Sequence, residues 1–573
     1  MASLQRVKVR GHTYWRVVES RRVNGKPRPI VVAHLGKADD LLSRLRSADT
    51  LKIRSHSHGA VAALFRVAEK LDFAGTIDRQ LAASGRRVRR PVPGARAKPR
   101  RNDGLSVGQS LLLATIGRTC QATSKRGFSR WAQNTTLGEI ASVDVARLTS
   151  QHFWDQMEQL PVETIAPIER ELVQRAIKLF DLPLDTLLYD ATNFFTFIDS
   201  TNHRPKLPAR GKNKQKRHDL RQLGVAVLCT RGHGIPLWHQ LYGGQLPDAK
   251  SFPEAISALR QRLVELDRDL DSLTLVYDKG NTSKANQELV DATPLHYVAA
   301  VSAHSQRELI NEANPKMQEV ALGPENKVMA YRTRKVILGT ERTVVVLRSE
   351  QLLEGHKRGV LQHVASALRW FDELDQTLKR GKQRRDRARI QRDIETRLMG
   401  RQSLGEVMKF ELQQRHGKLA LDYSFDQEAF DHLVEHWFGR LVLFTDRDDW
   451  STAEIIRAYR GQSHVEAVFA HLKDPVHIAL RPQYHWTDQK LHVHVLTCIM
   501  GYLLARLLHL QAQRTSSYPH AMERLIEDLG TVRQATVLRR SGKKGRMRLT
   551  RQLEECSPEM ESLLRSLEVK LDR

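Results

Sequence analysis

An α/β multidomain fold built around a mixed sheet is what this chain predicts, and three observations predict it. Strand-like and helix-like runs interleave through its middle, two of the strand-like runs carry an aspartate in a segment otherwise fit for burial, and 573 residues exceed what one hydrophobic core organises. The opening segment alternates as HTYWRVVESRRVNGKPRPIVVAHLG, with Asn24-Gly25 placed as a hairpin turn, and then turns helical. Residues 1–83 therefore read as a β-plus-α module. A basic linker over 84–104 and a helical module over 105–180 follow.

The core begins at 181. In TLLYDATNFF, Leu188, Asp190 and Thr192 share one strand face, and Leu187, Tyr189 and Ala191 the other. A carboxylate inside such a strand needs a partner. Next come LGVAVLCT, the turn RGHG and IPLWHQLY, which read as a β meander, and then a helix with Ile256, Leu259 and Leu263 at helical spacing. SLTLVYDKGN is a short apolar strand that ends in Asp278 and breaks at Gly280-Asn281, where functional residues of open α/β sheets usually sit. A helix near Lys284 to Val290 and the strand HYVAAVS complete the series to 305. Three strands, helix, strand, helix, strand is the order of an RNase H-like fold. In it, acids on the first strand, after the fourth, and on a late helix converge on paired divalent ions.

The late helix is sought in YRGQSHVEAVFAHLK. Read as one helix at about 100° per residue with Tyr459 at zero, Gln462, Glu466 and Lys473 fall near 300°, 340° and 320°, and the apolar Val465, Val468, Phe469 and Leu472 occupy the neighbouring arc. One helix would thus dock on the core and offer Glu466 to a metal and a phosphate. Most helical charges are merely solvated, so Asp190 and Asp278 are what give Glu466 its meaning. Asp278 and Glu466 lie 188 positions apart, far more than a connection needs. An inserted, mixed α/β subdomain over 306–445 explains the gap: VMAYRTRKVILGTERTVVVLR alternates like strands, and Leu361 to Leu398 reads as long charged helices. GRLVLFTD then returns the chain to the core as a strand. The core closes over 446–513, and 514–573 reads as a basic tail.

Composition names a partner. A formal charge of +27 biases the chain towards a polyanion, and nucleic acid is the obvious one. The charge is clustered in Arg86 to Arg101, which includes Arg86, Arg87, Arg89 and Arg90; in Arg204 to Arg221, which includes Lys212, Lys214, Lys216 and Arg217; and in Arg539 to Arg551. Each run can track a phosphate backbone. A membrane is not expected, because the longest apolar run, Val495 to Ala505, is about half the length of a spanning helix. Cys120, Cys229, Cys498 and Cys556 form no CxxC pair, which argues against structural zinc and disulfides and fits a reducing compartment. His492 and His494 would point apart on a helix and are taken as surface or DNA-facing; Trp131, Trp154 and Trp238 are taken as core or interface.

The chain resembles the DDE transposases of bacterial insertion sequences, in the branch whose third acid lies in a Tyr, two residues, Arg, three residues, Glu, six residues, Lys signature. Tyr459, Glu466 and Lys473 keep that spacing, and Gln462 stands where the pattern has Arg. An amide there hydrogen-bonds a phosphate less strongly than a guanidinium does. The likeness extends to LLYDATNFF, LPDAKSF, TLVYDKGN, LRPQYHWTDQKLHVH, HLGKADDL and LSVGQSLLLATIGRTCQATSKRGFSRW.

The resemblance implies a catalytic and metal-binding triad of Asp190, Asp278 and Glu466. It also implies Mg²⁺, with Mn²⁺ as a substitute, and contact of Tyr459, Lys473 and Gln462 with the DNA backbone. The activity it implies is cleavage at the element's terminal inverted repeats and strand transfer into double-stranded target DNA. Joining two ends in one event calls for a homodimer on DNA. The expected location is the cytoplasm, associated with the nucleoid. Two other readings are a catalytically silent DNA-binding descendant and an RNase H-like nuclease or resolvase that cleaves without strand transfer.

Overall fold

In the computed structural model one mixed sheet of nine strands organises the middle of the chain. The structure describes all residues except 1, 10, 24–25, 40–41, 43–51, 86–103, 200, 214, 267, 381–385, 400–402, 416–417, 481–483, 542–545 and 571–573. The Asn24-Gly25 turn, Arg86, Arg87, Arg89, Arg90 and Lys214 therefore lie outside the described residues. The chain divides into two compact units, one of 165–474 with 479–499, the other of 1–164, 475–478 and 500–573.

The larger unit starts with helix α1 (Ile165–Phe180) and continues through β1 (Thr186–Thr196), β2 (Arg221–Thr230), β3 (Pro236–Gly243), α2 (Asp248–Glu265), β4 (Thr274–Tyr277), α3 (Lys284–Asp291) and β5 (His296–Val301). In the sheet these strands lie in the order β3-β2-β1-β4-β5, antiparallel up to β1 and parallel from β1 to β5. Parallel strands buried on both faces need near-continuous apolar sequence, and TLVY and HYVAAV supply it. On one face Phe252 of α2 packs edge-on to Tyr189, ring centroids 5.3 Å apart, and lies 5.2 Å from Tyr277. Tyr189 pairs with Tyr277 in register, so Asp190 and Asp278 are the next residues of two adjacent strands.

Gly224 on β2 shows how tightly this face is closed, since an added Cβ would come within 2.1–2.5 Å of the Tyr242 ring. Gly224→Ala is expected to displace that ring and cost about 1–3 kcal/mol of stability, as overpacking of a filled core does. Urea unfolding checks this; an unchanged midpoint would mean the ring moves aside freely.

Beyond β5 come β6 (Gln318–Gly323), β7 (Asn326–Ile337), β8 (Thr340–Arg348), the helices α4 (Glu350–Arg380) and α5 (Arg387–Met399), the hairpin β9 (Met408–Arg415) and β10 (Lys418–Phe425), α6 (Gln427–His436) and β11 (Arg440–Thr445). Segment 306–445, expected as one inserted subdomain, splits in two. Strand β11 pairs antiparallel with both β5 and β8, and β7 and β6 follow outward, so the expected return strand and the first strands of the segment lengthen the core sheet. This pairing satisfies the edge that β5 would otherwise expose. The helices and hairpin between them build a separate apolar cluster around Phe371, Ile394, Leu404, Val407 and Leu433. After β11 the chain forms α7 (Thr452–Arg460), α8 (Gln462–Lys473) and α9 (Asp488–Ser516).

The smaller unit opens with an antiparallel meander of Ala2–Val9, His12–Val23 and Lys26–Lys37. Strand Lys52–Ser57 pairs with Arg533–Ser541, which pairs in turn with Arg546–Leu553. Residues 514–573, expected as a tail, are therefore structured in large part. They supply a hairpin that completes a sheet begun almost five hundred residues earlier, because an isolated strand cannot satisfy its own backbone groups. Helix α9 has the length and composition to cross a membrane, but 89% of its most apolar window is buried inside the protein, as befits a core helix.

Candidate active site

Burial of the sheet decides the chemistry of Asp190. Its Oδ1 accepts the Ala191 N–H at 2.8 Å, yet burial, reinforced by the charges of Asp278, Asp248 and Glu466, pushes its carboxyl up to about 7. Asp278 follows β4 directly; its Oδ1 accepts from Gly280 N at 2.8 Å and from Asn281 Nδ2 at 3.3 Å, fixing the carboxylate at the strand end. Glu466 lies exposed on α8, whose Val465, Val468, Phe469 and Leu472 are buried as their spacing predicts. The helix is pinned to β1 by Lys473, whose Nζ donates to Thr192 Oγ1 at 2.8 Å and sits 5.4 Å from the Phe194 ring centroid. The even-numbered face of β1 thus carries α8, and the odd-numbered face carries α2 through Phe252 and Tyr189.

Tyr459 and Glu466 do not share one helix, contrary to the single-helix reading. The chain breaks at Gly461 into α7 and α8. A Cβ there would meet Ala458 O at 2.9 Å, Arg231 Cγ at 3.0 Å and Leu188 Cδ2 at 3.4 Å, so only glycine lets the junction lie this close to β1 and the loop after β2. Tyr459 still belongs with the acids: burial, then the charges of Asp278, Glu466 and Asp190, raise its phenol well above the ordinary range. Gln462 is buried at 9% exposure, and its Nε2 has no hydrogen-bond partner. Lys212, Lys216 and Arg217 are exposed on the loop between β1 and β2, Arg217 being paired with Asp219 at 2.7 Å.

Two histidines depart from expectation. His494 is 5% exposed and stacks on His485 at 4.3 Å, so it is not a surface group, while His492 is half-buried and burial, with a contribution from His239, pushes it down to about 4. The reason is that α9 is a core helix, whose polar residues are enclosed with its apolar ones. Trp238 is in the core, 5% exposed.

Sequence reading missed Asp248. It is the first residue of α2, it accepts a hydrogen bond from Tyr242 Oη at 2.7 Å, and it adds to the charge felt by Asp190. Its signal was the Pro247-Asp248 helix start inside LPDAKSF, where an acid suits the helix dipole.

Among the described residues no three His, Cys, Asp or Glu side chains stand close enough to share one metal ion. The donor set nevertheless fits a hard divalent cation: all donors are carboxylate oxygens, and Asp190 is held near neutral by burial and like charge that a cation would relieve. The raised carboxyl also predicts a pH dependence of folding. Its folded value of about 7 exceeds the ~3.9 of a free aspartate, so between those values the folded chain binds more protons than the unfolded one. Stability must then fall as pH rises through that window. We expect the metal-free protein to lose thermal stability from pH 5 to pH 8 and Asp190→Asn to lose less; equal losses would place the source elsewhere.

Comparison with known proteins bears on this arrangement. The model of the IS1634 family transposase N-terminal domain matches residues 4–59, and that of the transposase DDE domain matches 194–504, which includes Asp278 and Glu466 and begins just after Asp190. No curated protein sequence matches the chain. Among solved structures, a piggyBac transposase synaptic complex with hairpin DNA is similar at 9% identity and TM-score 0.40, over 82% of this chain and 79% of that one. A Mos1 transposase paired-end complex with the left transposon end is similar at 11% identity and TM-score 0.14, over 30% and 52%. With one family model spanning more than half of its length and another covering its first strands, the chain belongs to the DDE transposases of insertion sequences.

Proposed function

We propose that the core is RNase H-like, and that the protein cleaves DNA at the ends of its insertion sequence and transfers the freed 3′-hydroxyl ends into target DNA. What supports this reading is the transposase DDE domain match over 194–504, together with the influence of the Asp278 and Glu466 charges on Asp190 and on Tyr459. In this reading Asp190, Asp278 and Glu466 hold Mg²⁺, for which Mn²⁺ can substitute. Bound there, the metal supplies an activated water or hydroxyl and stabilisation of the leaving oxygen.

The remaining residues bind and orient. Thr192 lies two residues beyond Asp190 on the same strand face, about 7 Å away, so Lys473 beside it is placed to meet a phosphate next to the acids. Tyr459 is positioned to hydrogen-bond the same backbone, with Gln462 supporting it through its unsatisfied amide. The exposed Lys212, Lys216 and Arg217 extend the basic track. Arg86, Arg87, Arg89, Arg90 and Lys214, which lie outside the described residues, are assigned to DNA binding from the sequence alone. Double-stranded DNA is the partner, both as terminal inverted repeats and as target, with a homodimer assembled on it in the cytoplasm at the nucleoid.

The test is incubation of purified protein with plasmid carrying the flanks of its own gene, with and without Mg²⁺. Metal-dependent excision and joined products are expected. Binding without strand breakage in either Mg²⁺ or Mn²⁺ would instead identify a silent descendant, and breakage without joined products a nuclease.

A further inference from the structure

Aromatic side chains are costly to leave in water, and three large ones stand exposed together where the β1–β2 loop meets the segment before α9. Phe197 is 45% exposed, Tyr484 62% and Trp486 49%. The Phe197 and Tyr484 rings lie 6.1 Å apart, and the Arg204 guanidinium lies 5.9 Å from the Trp486 ring centroid. Their exposure does not come from a loosely held segment. His485, between Tyr484 and Trp486, is 4% exposed and stacked on His494, so the chain alternates out, in, out. Asp488 closes the other side, accepting Lys206 N at 2.9 and 3.0 Å and Leu207 N at 3.1 Å.

The surroundings are basic. Arg204, Lys206, Arg210 and Lys212 are exposed on the same loop, which suits a polyanion. A duplex would engage such charge through its phosphates alone and leave the rings wet. Unpaired nucleotides present a phosphate to the cations and a flat base to each ring, which is the combination by which single strands are held. Phe197 lies just past the end of β1, seven residues beyond Asp190, on the order of 20 Å, a few nucleotides from the acids.

We propose that Phe197, Tyr484 and Trp486, with Arg204, form a stacking platform for unpaired bases of single-stranded DNA. It deepens the transposase reading, since a strand opened near the acids would supply those bases, but its binding activity can be measured apart from any cleavage.

The experiment is fluorescence anisotropy of a labelled twelve-nucleotide oligothymidine with the full chain, with plasmid cleavage followed in parallel. Trp486→Ala and Tyr484→Ala are each expected to weaken binding by about 5- to 100-fold, whereas Trp486→Phe retains most of it. Arg204→Gln is expected to lower the dependence of affinity on salt. Phe197→Ala provides a further variant at an exposed position should Trp486→Ala fold poorly. Unchanged affinity in a Tyr484→Ala/Trp486→Ala double variant would overturn the platform, as would a mass showing two copies joined through these rings that Trp486→Ala separates. Loss of the platform with cleavage intact would leave the transposase reading standing; single-strand binding without cleavage would leave the platform and remove that reading.

Discussion

Asp190→Asn is expected to lower DNA strand cleavage by 10³-fold or more while leaving DNA binding intact. The two effects separate because the substitution keeps shape and changes charge. An asparagine Oδ1 can still accept the Ala191 N–H that Asp190 accepts at 2.8 Å, so β1 and its register with β4 persist. What disappears is the anionic oxygen that a divalent cation requires, and with it stabilisation of charge developing in the transition state, where even single lost interactions cost ~10²–10³-fold. Removing a negative charge near a bound polyanion does not weaken the complex, so affinity should hold or rise slightly. Cleavage of supercoiled plasmid under single-turnover conditions, beside a gel-shift titration, measures both. Cleavage within tenfold of native would remove Asp190 from the site; joint loss of cleavage and binding would point to misfolding. Asp278→Asn and Glu466→Gln should follow the same pattern.

The largest effect on stability is expected at Glu169, which joins three elements of the larger unit. Its carboxylate, 2% exposed, receives His239 Nδ1 at 2.5 Å and lies 3.2 Å from Arg262, itself 3% exposed, so that α1, β3 and α2 are joined by one buried group. Glu169→Gln leaves the enclosed Arg262 cation with only the partly exposed Glu265 carboxylate, 4.0 Å away, where loss of one partner of a buried pair costs about 3–5 kcal/mol. Bonds from Arg262 to Ala166 O at 2.9 Å and Leu237 O at 3.4 Å remain and argue for the lower end. Urea unfolding of Glu169→Gln, Arg262→Met and the double variant measures it. The double variant should recover part of the loss, since it removes both charges; strictly additive losses would show that the two residues do not act as a pair.

Local rules carried much of the fold. Strands β1, β4 and β5 were legible because strands buried on both faces need continuous apolar runs, and the helical face of Val465, Val468, Phe469 and Leu472 was legible from its period. Asp190 and Asp278 stood out because a carboxylate in such a run is otherwise unfavourable. The break at Gly461 was not legible, since its φ is ordinary and two of the neighbours that leave little room for a Cβ there, Leu188 and Arg231, come from elsewhere in the chain. Asp248 signalled only a helix start: by itself it is an acid in a first turn, and packing of α2 through Phe252 on Tyr189 brings its charge to Asp190.

The sequence by itself determined the polyanion bias, the strands and helices that carry the three acids, and the likeness to DDE transposases of insertion sequences, because charge, apolar period and spacing are properties of neighbouring residues. Tertiary structure alone decided which strands meet. Strand β11 was placed between β5 and β8, the carboxyl-terminal hairpin was paired with Lys52–Ser57, His494 of α9 was buried against His485, and Phe197 was set beside Tyr484. Each of these joins residues far apart in the chain, whose association depends on burying surface and pairing backbone across the whole fold.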